Sequence, residues 1–178
     1  MSEPFRVGIS RGMLLSGGRS LMAAESLAHL DAQGIAYDYI DLTGGEVQAE
    51  EIAGYDAVVL MGERFGTQAL NGNTRLVGVA RWGVGYDAVD LGACTDGDVC
   101  VFITPRGVRR PVAMAIMTFL LALALKLRPK DALVRGGDWS RKTDYMGEML
   151  TAKVLGSLGL GGIGRELFRL AAPLEMRQ

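Results

Sequence analysis

A single histidine, His29, occurs in 178 residues, and cysteine occurs only as Cys94 and Cys100. There is no Cys-x-x-Cys and no histidine cluster, so the chain offers no zinc-type ligand set. Two cysteines suit a reducing cytoplasm, where a core of this size needs no disulfide. Charge of one sign is also lacking. Nineteen basic and twenty acidic residues give a net charge of −1, and no basic block exceeds Arg109-Arg110. That mixture argues against a broad electrostatic footprint for nucleic acid. The opening MSEPFRVGIS has no secretory hydrophobic region. One long apolar run exists, Val112 to Leu125, broken only by Thr118. It falls short of the roughly 20 residues that span a bilayer. Arg109, Arg110, Lys126 and Arg128 bracket it. A helix buried on nearly all sides, or one lying in a subunit interface, is expected rather than a membrane partner.

Glycine, by contrast, is plentiful: 25 residues, about twice the average rate. The glycines fall between apolar runs without a collagen-like period, which suggests many short strand–helix connections. Phe5 to Ile9 reads as a first strand. Ser20 to Gln33 reads as a helix, with Ser20 as N-cap and Gly34 as the stop. Its apolar arc holds Leu21, Ala24, Leu27, Ala28 and Leu30, with Glu25, Ser26 and His29 opposite. Further strands are expected at 35–42, 55–61, 76–80 and 98–103. A short polar helix ends at Ile52 and another spans Val89 to Cys94. Strands alternating with helices imply right-handed βαβ units and a parallel sheet. The fold class is therefore α/β, with five strands forming a flavodoxin-like first domain over residues 1–108.

Residues 109–178 read differently. Pro111 is placed at the first position of the long apolar helix, and Pro129 ends or kinks it. Lys130 to Gly136 forms a short second helix. Lys153 to Gly159 is a strand, followed by Gly159-x-Gly161-x-x-Gly164 and a helix from about Ile163 to Ala172. The strand–loop–helix setting gives the glycine pattern physical content. Gly159 permits a tight turn, Gly161 lets a pyrophosphate approach the backbone, and Gly164 lets helix and strand pack. The helix N-terminus offers unpaired N–H groups to phosphate. A generic tight turn in an α/β protein is the competing reading. The acidic residue that holds the ribose hydroxyls should come roughly 20 positions on, past Gln178. The choice between NAD and NADP is therefore not legible.

Taken together, several segments resemble the D-isomer-specific 2-hydroxyacid dehydrogenase family. They are RWGVGYDAVDLGACTDGDVCVFITPRGVRRPVA, Gly136-Gly137-Asp138-Trp139, Met146-Gly147 and LTAKVLGSLGLGGIGREL. The resemblance is strong over about half the chain and rests on βα rhythm alone in the first 75 residues. It implies a substrate domain followed by the truncated start of a Rossmann NAD-binding domain. It places Gly83-Val84-Gly85 at the carboxyl end of its strand, in the interdomain cleft. There the N–H groups around Val84 and Gly85 would hold a substrate carboxylate. Gly162 and Ile163 would give N–H groups to the pyrophosphate, so the cofactor site is expected at Gly159, Gly161, Gly162, Ile163 and Gly164. The competing reading of the Val84 loop is a tight turn before a short helix. Many relatives have Glu after Val-Ala in the long helix, where this chain has Met114. That points to a subgroup.

The resemblance implies a catalytic Arg, His and Glu in the later half of a full-length member. None of the three maps onto this sequence. His29 lies on the polar arc of a surface helix, and a solvated histidine is expected there. Arg81 either adds positive charge beside the Val84 loop or pairs with Asp87 or Asp90. Cys94 and Cys100 are expected in the core without a reactive thiolate. Met114, Met117, Trp82 and Trp139 are expected to pack. Three functions follow. The first is an NAD-dependent oxidoreductase acting on a small 2-hydroxy or 2-keto acid, homodimeric when full length and inactive as these 178 residues alone. The second is a dinucleotide-sensing, corepressor-like binding protein. The third is a truncated remnant, suggested by an abrupt PLEMRQ end where a strand should begin.

Overall fold

The computed structural model describes residues 4–42 and 44–178. They form two compact units, Met1–Thr104 and Pro105–Gln178. The first unit is a five-stranded sheet: β1 (Arg6–Ser10), β2 (Ala36–Ile40), β3 (Ala57–Leu60), β4 (Gly78–Arg81) and β5 (Cys100–Ile103). The order is β2-β1-β3-β4-β5 and every pairing is parallel. This is the flavodoxin-like order expected from the βα rhythm.

Period-two alternation explains both cores of the sheet. On β3, Val58 and Leu60 join Val47, Ile52, Phe65, Val79 and Cys94 on one face. Ala57 and Val59 turn to the other face, against Val7, Ile9 and Met13. The central strands are thus covered on both sides, as parallel strands require. Each fully buried Phe, Ile or Leu contributes roughly 1.5–3 kcal/mol.

Helix α1 spans Ala24–Ala32 and starts later than the sequence suggests. Ser20 does not cap it. Its hydroxyl accepts from the Met22 N–H at 3.0 Å and from the Tyr39 hydroxyl at 2.6 Å. A backbone bridge to Leu14 also holds Ser20 in extended geometry, outside the helix. Gly34 ends the helix as expected. At φ +67° it closes a Schellman motif, with Ile35 N–H on the Leu30 carbonyl and Gly34 N–H on that of Asp31, both at 3.0 Å. Helix α2 (Thr67–Leu70), too short for a detectable period, precedes β4. Helix α3 (Leu91–Asp96) is capped by Asp90, which accepts from the Ala93 N–H at 3.0 Å.

In the second unit, α4 spans Pro105–Ala124, and Pro105 rather than Pro111 occupies its start. Pro111 lies inside the helix, where it has no N–H to give the Gly107 carbonyl. Pro129 does not terminate it either. Lys126, in left-handed geometry at φ +55°, breaks the chain direction before α5 (Leu127–Arg135), and Pro129 sits in the first turn of α5, where a missing N–H costs nothing. Among the described residues of α4 only Ala113 is buried, which overturns the expectation of a helix covered on nearly all sides. Met114 is exposed, and so is Trp139. By length and composition alone, α4 is long and apolar enough to cross a membrane. Its first third, however, carries Arg106, Arg109 and Arg110, and the uncharged remainder is too short to span.

The expected strand at Lys153–Gly159 reduces to a parallel bridge between Val154 and Arg177. Leu155 N–H reaches the Arg177 carbonyl and Arg177 N–H the Lys153 carbonyl, both at 2.8 Å. With only that partner, a longer ladder has nothing to pair with. Helix α6 (Gly162–Ala171) connects the two segments and buries Leu167 and Ala171. It packs on α4, and the Arg110 guanidinium meets Glu166 at 2.7 Å.

Candidate functional site

The glycine loop is built as its spacing implies. Gly159 sits at φ +96°, a turn only glycine adopts without strain. The Ser157 hydroxyl donates to its carbonyl at 2.9 Å. A Cβ on Gly164 would fall 2.7 Å from the Gly159 carbonyl oxygen, so the first turn of α6 rests directly on the loop. A Cβ on Gly161 would meet nothing within 4 Å, leaving open space beside the backbone. Gly161 is the N-cap, with no side-chain cap and no acidic residue in the first turn. Among the described residues, the N–H groups of Gly162, Ile163 and Gly164 have no acceptor; the first bonded one is Arg165, to the Gly161 carbonyl at 3.0 Å. Three free donors at the positive end of a helix dipole are an arrangement that favours an anion. The cradle at Gly164 and the open face at Gly161 fit the pyrophosphate of a dinucleotide.

The second loop follows β4. Gly83 adopts φ +143°, and the Arg81 guanidinium lies over its Cα: a Cβ there would come within 2.8 Å of Cζ. Arg81 donates to the Trp82 carbonyl. Among the described residues it pairs with neither Asp87 nor Asp90, so the ion-pair alternative is not realised. Thr104 fixes the loop from β5, its N–H donating to the Gly83 carbonyl at 2.7 Å. Beyond this anchor, the N–H groups of Val84 and Gly85 have no acceptor among the described residues. Val84 is 40% exposed. The Asp87 carboxylate also stands near, 3.6 Å from a Cβ built on Gly85.

One network at the carboxyl edge of the sheet was not legible. Ser10, at the end of β1, is buried and donates to the Glu63 carboxylate beyond β3. The other Glu63 oxygen accepts from the N–H groups of Met61 at 2.8 Å and Gly62 at 3.0 Å. Burial pushes the Glu63 carboxyl up; the Ser10 hydroxyl and these backbone donors outweigh it and hold it below the ordinary carboxylate range. The network spans the β1/β3 switch point, where ligands bind in open α/β sheets.

His29 is exposed on α1, in keeping with a solvated role. Cys94 is buried, which, with Asp90 nearby, raises its thiol above the ordinary value. Cys100, expected in the core, is exposed because β5 is an edge strand. No group of three or more His, Cys, Asp or Glu able to hold a metal occurs among the described residues.

The first unit is a parallel 2-1-3-4-5 sheet with a glycine donor loop, and the second carries a glycine loop that opens a helix, an arrangement of the doubly wound α/β class followed by the start of a dinucleotide-binding unit. Residues 15–116 match the family model of the D-isomer specific 2-hydroxyacid dehydrogenase catalytic domain, and residues 117–178 that of its NAD-binding domain. The chain belongs to the D-isomer specific 2-hydroxyacid dehydrogenase family. A glyoxylate reductase from Thermococcus gammatolerans is 34% identical over 139 residues, 74% of this chain and 42% of that protein. A D-3-phosphoglycerate dehydrogenase from Archaeoglobus fulgidus is 30% identical over 152 residues, 79% of this chain and 29% of that protein. The chain therefore spans less than half the length of these relatives. The TT0316 protein from Thermus thermophilus has the same fold, with a TM-score of 0.82 at 22% identity over 97% of this chain and 54% of that one. So has a cofactor(NAD+)-bound 3-phosphoglycerate dehydrogenase from Entamoeba histolytica, with a TM-score of 0.72 at 20% identity over 98% of this chain and 53% of that one.

Proposed function

We propose that the protein is an oxidoreductase that moves a hydride between NAD and the CH–OH carbon of a small 2-hydroxy acid, or reduces the matching 2-keto acid. The carrying observation is the row of free N–H groups behind the Gly159 turn, in a segment matching an NAD-binding family model. Gly162, Ile163 and Gly164 hold the pyrophosphate through backbone donors, and Gly161 lets it come close. Val84 and Gly85 hold the substrate carboxylate in the same way, with the Arg81 charge beside them. Bound NAD supplies the hydride acceptor. NADP stays within the proposal, because no residue here is assigned to the ribose.

Residues 1–108 act as the substrate domain and 109–178 as the linker helix and first unit of the dinucleotide domain. The apolar side chains exposed on α4 support a homodimer of the whole protein. The free cysteines accord with a reducing, cytoplasmic setting. No group of this chain is given the acid/base step. A second reading on the same fold is a dinucleotide-sensing binding protein, which would use the same donor loop to hold the dinucleotide.

Titration of the whole protein with NADH, followed by NADH oxidation with glyoxylate and a panel of other 2-keto acids, tests both. Binding with turnover supports the enzyme. Binding without turnover on any 2-keto acid supports the sensor. No binding overturns both. The 178 residues alone are expected to give no turnover, and 2-keto-acid-dependent NADH oxidation by the purified chain would sink that expectation.

A further inference from the structure

Gly162 is not glycine for the sake of its backbone angles. What crowds it is Arg109 of α4. A Cβ on Gly162 would fall 2.5 Å from Arg109 Nε, 3.0 Å from Cδ and 3.1 Å from Cζ. The arginine side chain therefore crosses the first residue of α6, at the helix end with the three free N–H groups. Neighbouring cations are committed. Arg110 is paired with Glu166, and Arg165 donates to the Leu160 carbonyl at 3.2 Å. Arg109 has no hydrogen-bond or ion-pair partner among the described residues. Glu166, the nearest acid on α6, is already held by Arg110 and Arg169.

Arg109 is exposed, has no protein partner among the described residues and lies across an open helix N-terminus, where an anion would meet both the guanidinium and the free N–H groups. We infer that Arg109 supplies a side-chain cation to the dinucleotide pyrophosphate, and that Gly162 lacks a side chain to make room for it. The inference rests on the dinucleotide reading above. It separates two glycine roles that the motif merges. Gly161 admits the phosphate, and Gly162 admits the arginine. The backbone N–H groups are fixed donors, whereas the guanidinium brings a full charge and a planar donor fork.

The test is NADH binding to the protein expressed from its own gene, measured by fluorescence titration across a range of salt concentrations. Arg109→Gln is expected to weaken NADH about tenfold, the scale of one charge-assisted hydrogen bond. It is also expected to flatten the dependence of affinity on salt, since screening acts on the lost charge. Arg109→Lys should keep the salt dependence and recover part of the affinity. Gly162→Ala should cost a similar factor, and Arg109→Gln combined with Gly162→Ala should be no worse than the weaker single variant. Native-like affinity in Arg109→Gln, an unchanged salt dependence, or additive losses in the double variant would overturn the inference and leave the dinucleotide reading standing. Failure of the native protein to bind NADH would overturn both.

Discussion

At the scale of single residues, the two donor loops depend on positions where even a methyl group has no room. Gly164 is the sharpest case, because its Cβ would press on the Gly159 carbonyl oxygen at 2.7 Å. That atom is backbone and cannot rotate away. Gly164→Val is expected to destabilise by about 1–3 kcal/mol, the usual cost of overpacking, and to abolish NADH binding. Urea unfolding and NADH titration check the two effects separately. Glu63 is the other residue with a definite expectation. Its carboxyl is held below the ordinary range in the fold, so its stabilising effect is complete above the unfolded carboxylate value. It is lost as pH falls through the lower folded value. Glu63→Gln should therefore lower the urea midpoint at neutral pH, and the gap to the native protein should close in acid. A gap independent of pH would contradict the assigned charge. The glycine roles at 159 and 164 were legible, because turn and close packing are local demands of the spacing. Glu63 was not, because its partner Ser10 lies 53 positions away.

At the scale of elements, the five strands of the first sheet and the stop of α1 followed from the sequence, and the helix starts and the strand expected at Lys153–Gly159 did not. Ser20 has the right chemistry for a cap, but Tyr39 and the bridge to Leu14 claim it first. Pro111 looked like a helix start because proline is tolerated there. Pro105, at the end of β5, takes that place and carries the helix through Pro111. The interior proline costs a hydrogen bond to the Gly107 carbonyl. Pro111→Ala is therefore expected to stabilise the protein by about 1–3 kcal/mol, read as a rise in the thermal unfolding midpoint. A fall would show that the proline shapes α4 for packing on α6.

At the scale of the whole molecule, α4 carries a run of exposed apolar side chains. Phe119 is 68% and Leu123 73% exposed. Exposed apolar side chains grouped on one helix are what a subunit interface would cover. Replacing both residues by Glu is expected to convert a dimer of the whole protein to monomers, measured by sedimentation velocity. A native protein that sediments as a monomer would refute the homodimer.

What the sequence determined by itself is the periodic and the local. Alternation of apolar runs dictated five parallel strands, since a strand covered on both faces needs a continuous apolar stretch. The Gly159 spacing dictated a tight turn opening a helix, since only glycine accepts that geometry. Tertiary structure decided the rest: that Ser20 serves a strand rather than a helix, that Cys100 lies on an open edge, that Ser10 meets Glu63, and that Arg109 lies across Gly162. Each depends on which segments packing brings together or leaves uncovered. Residue type states what a side chain can do, and only packing decides which partner it meets.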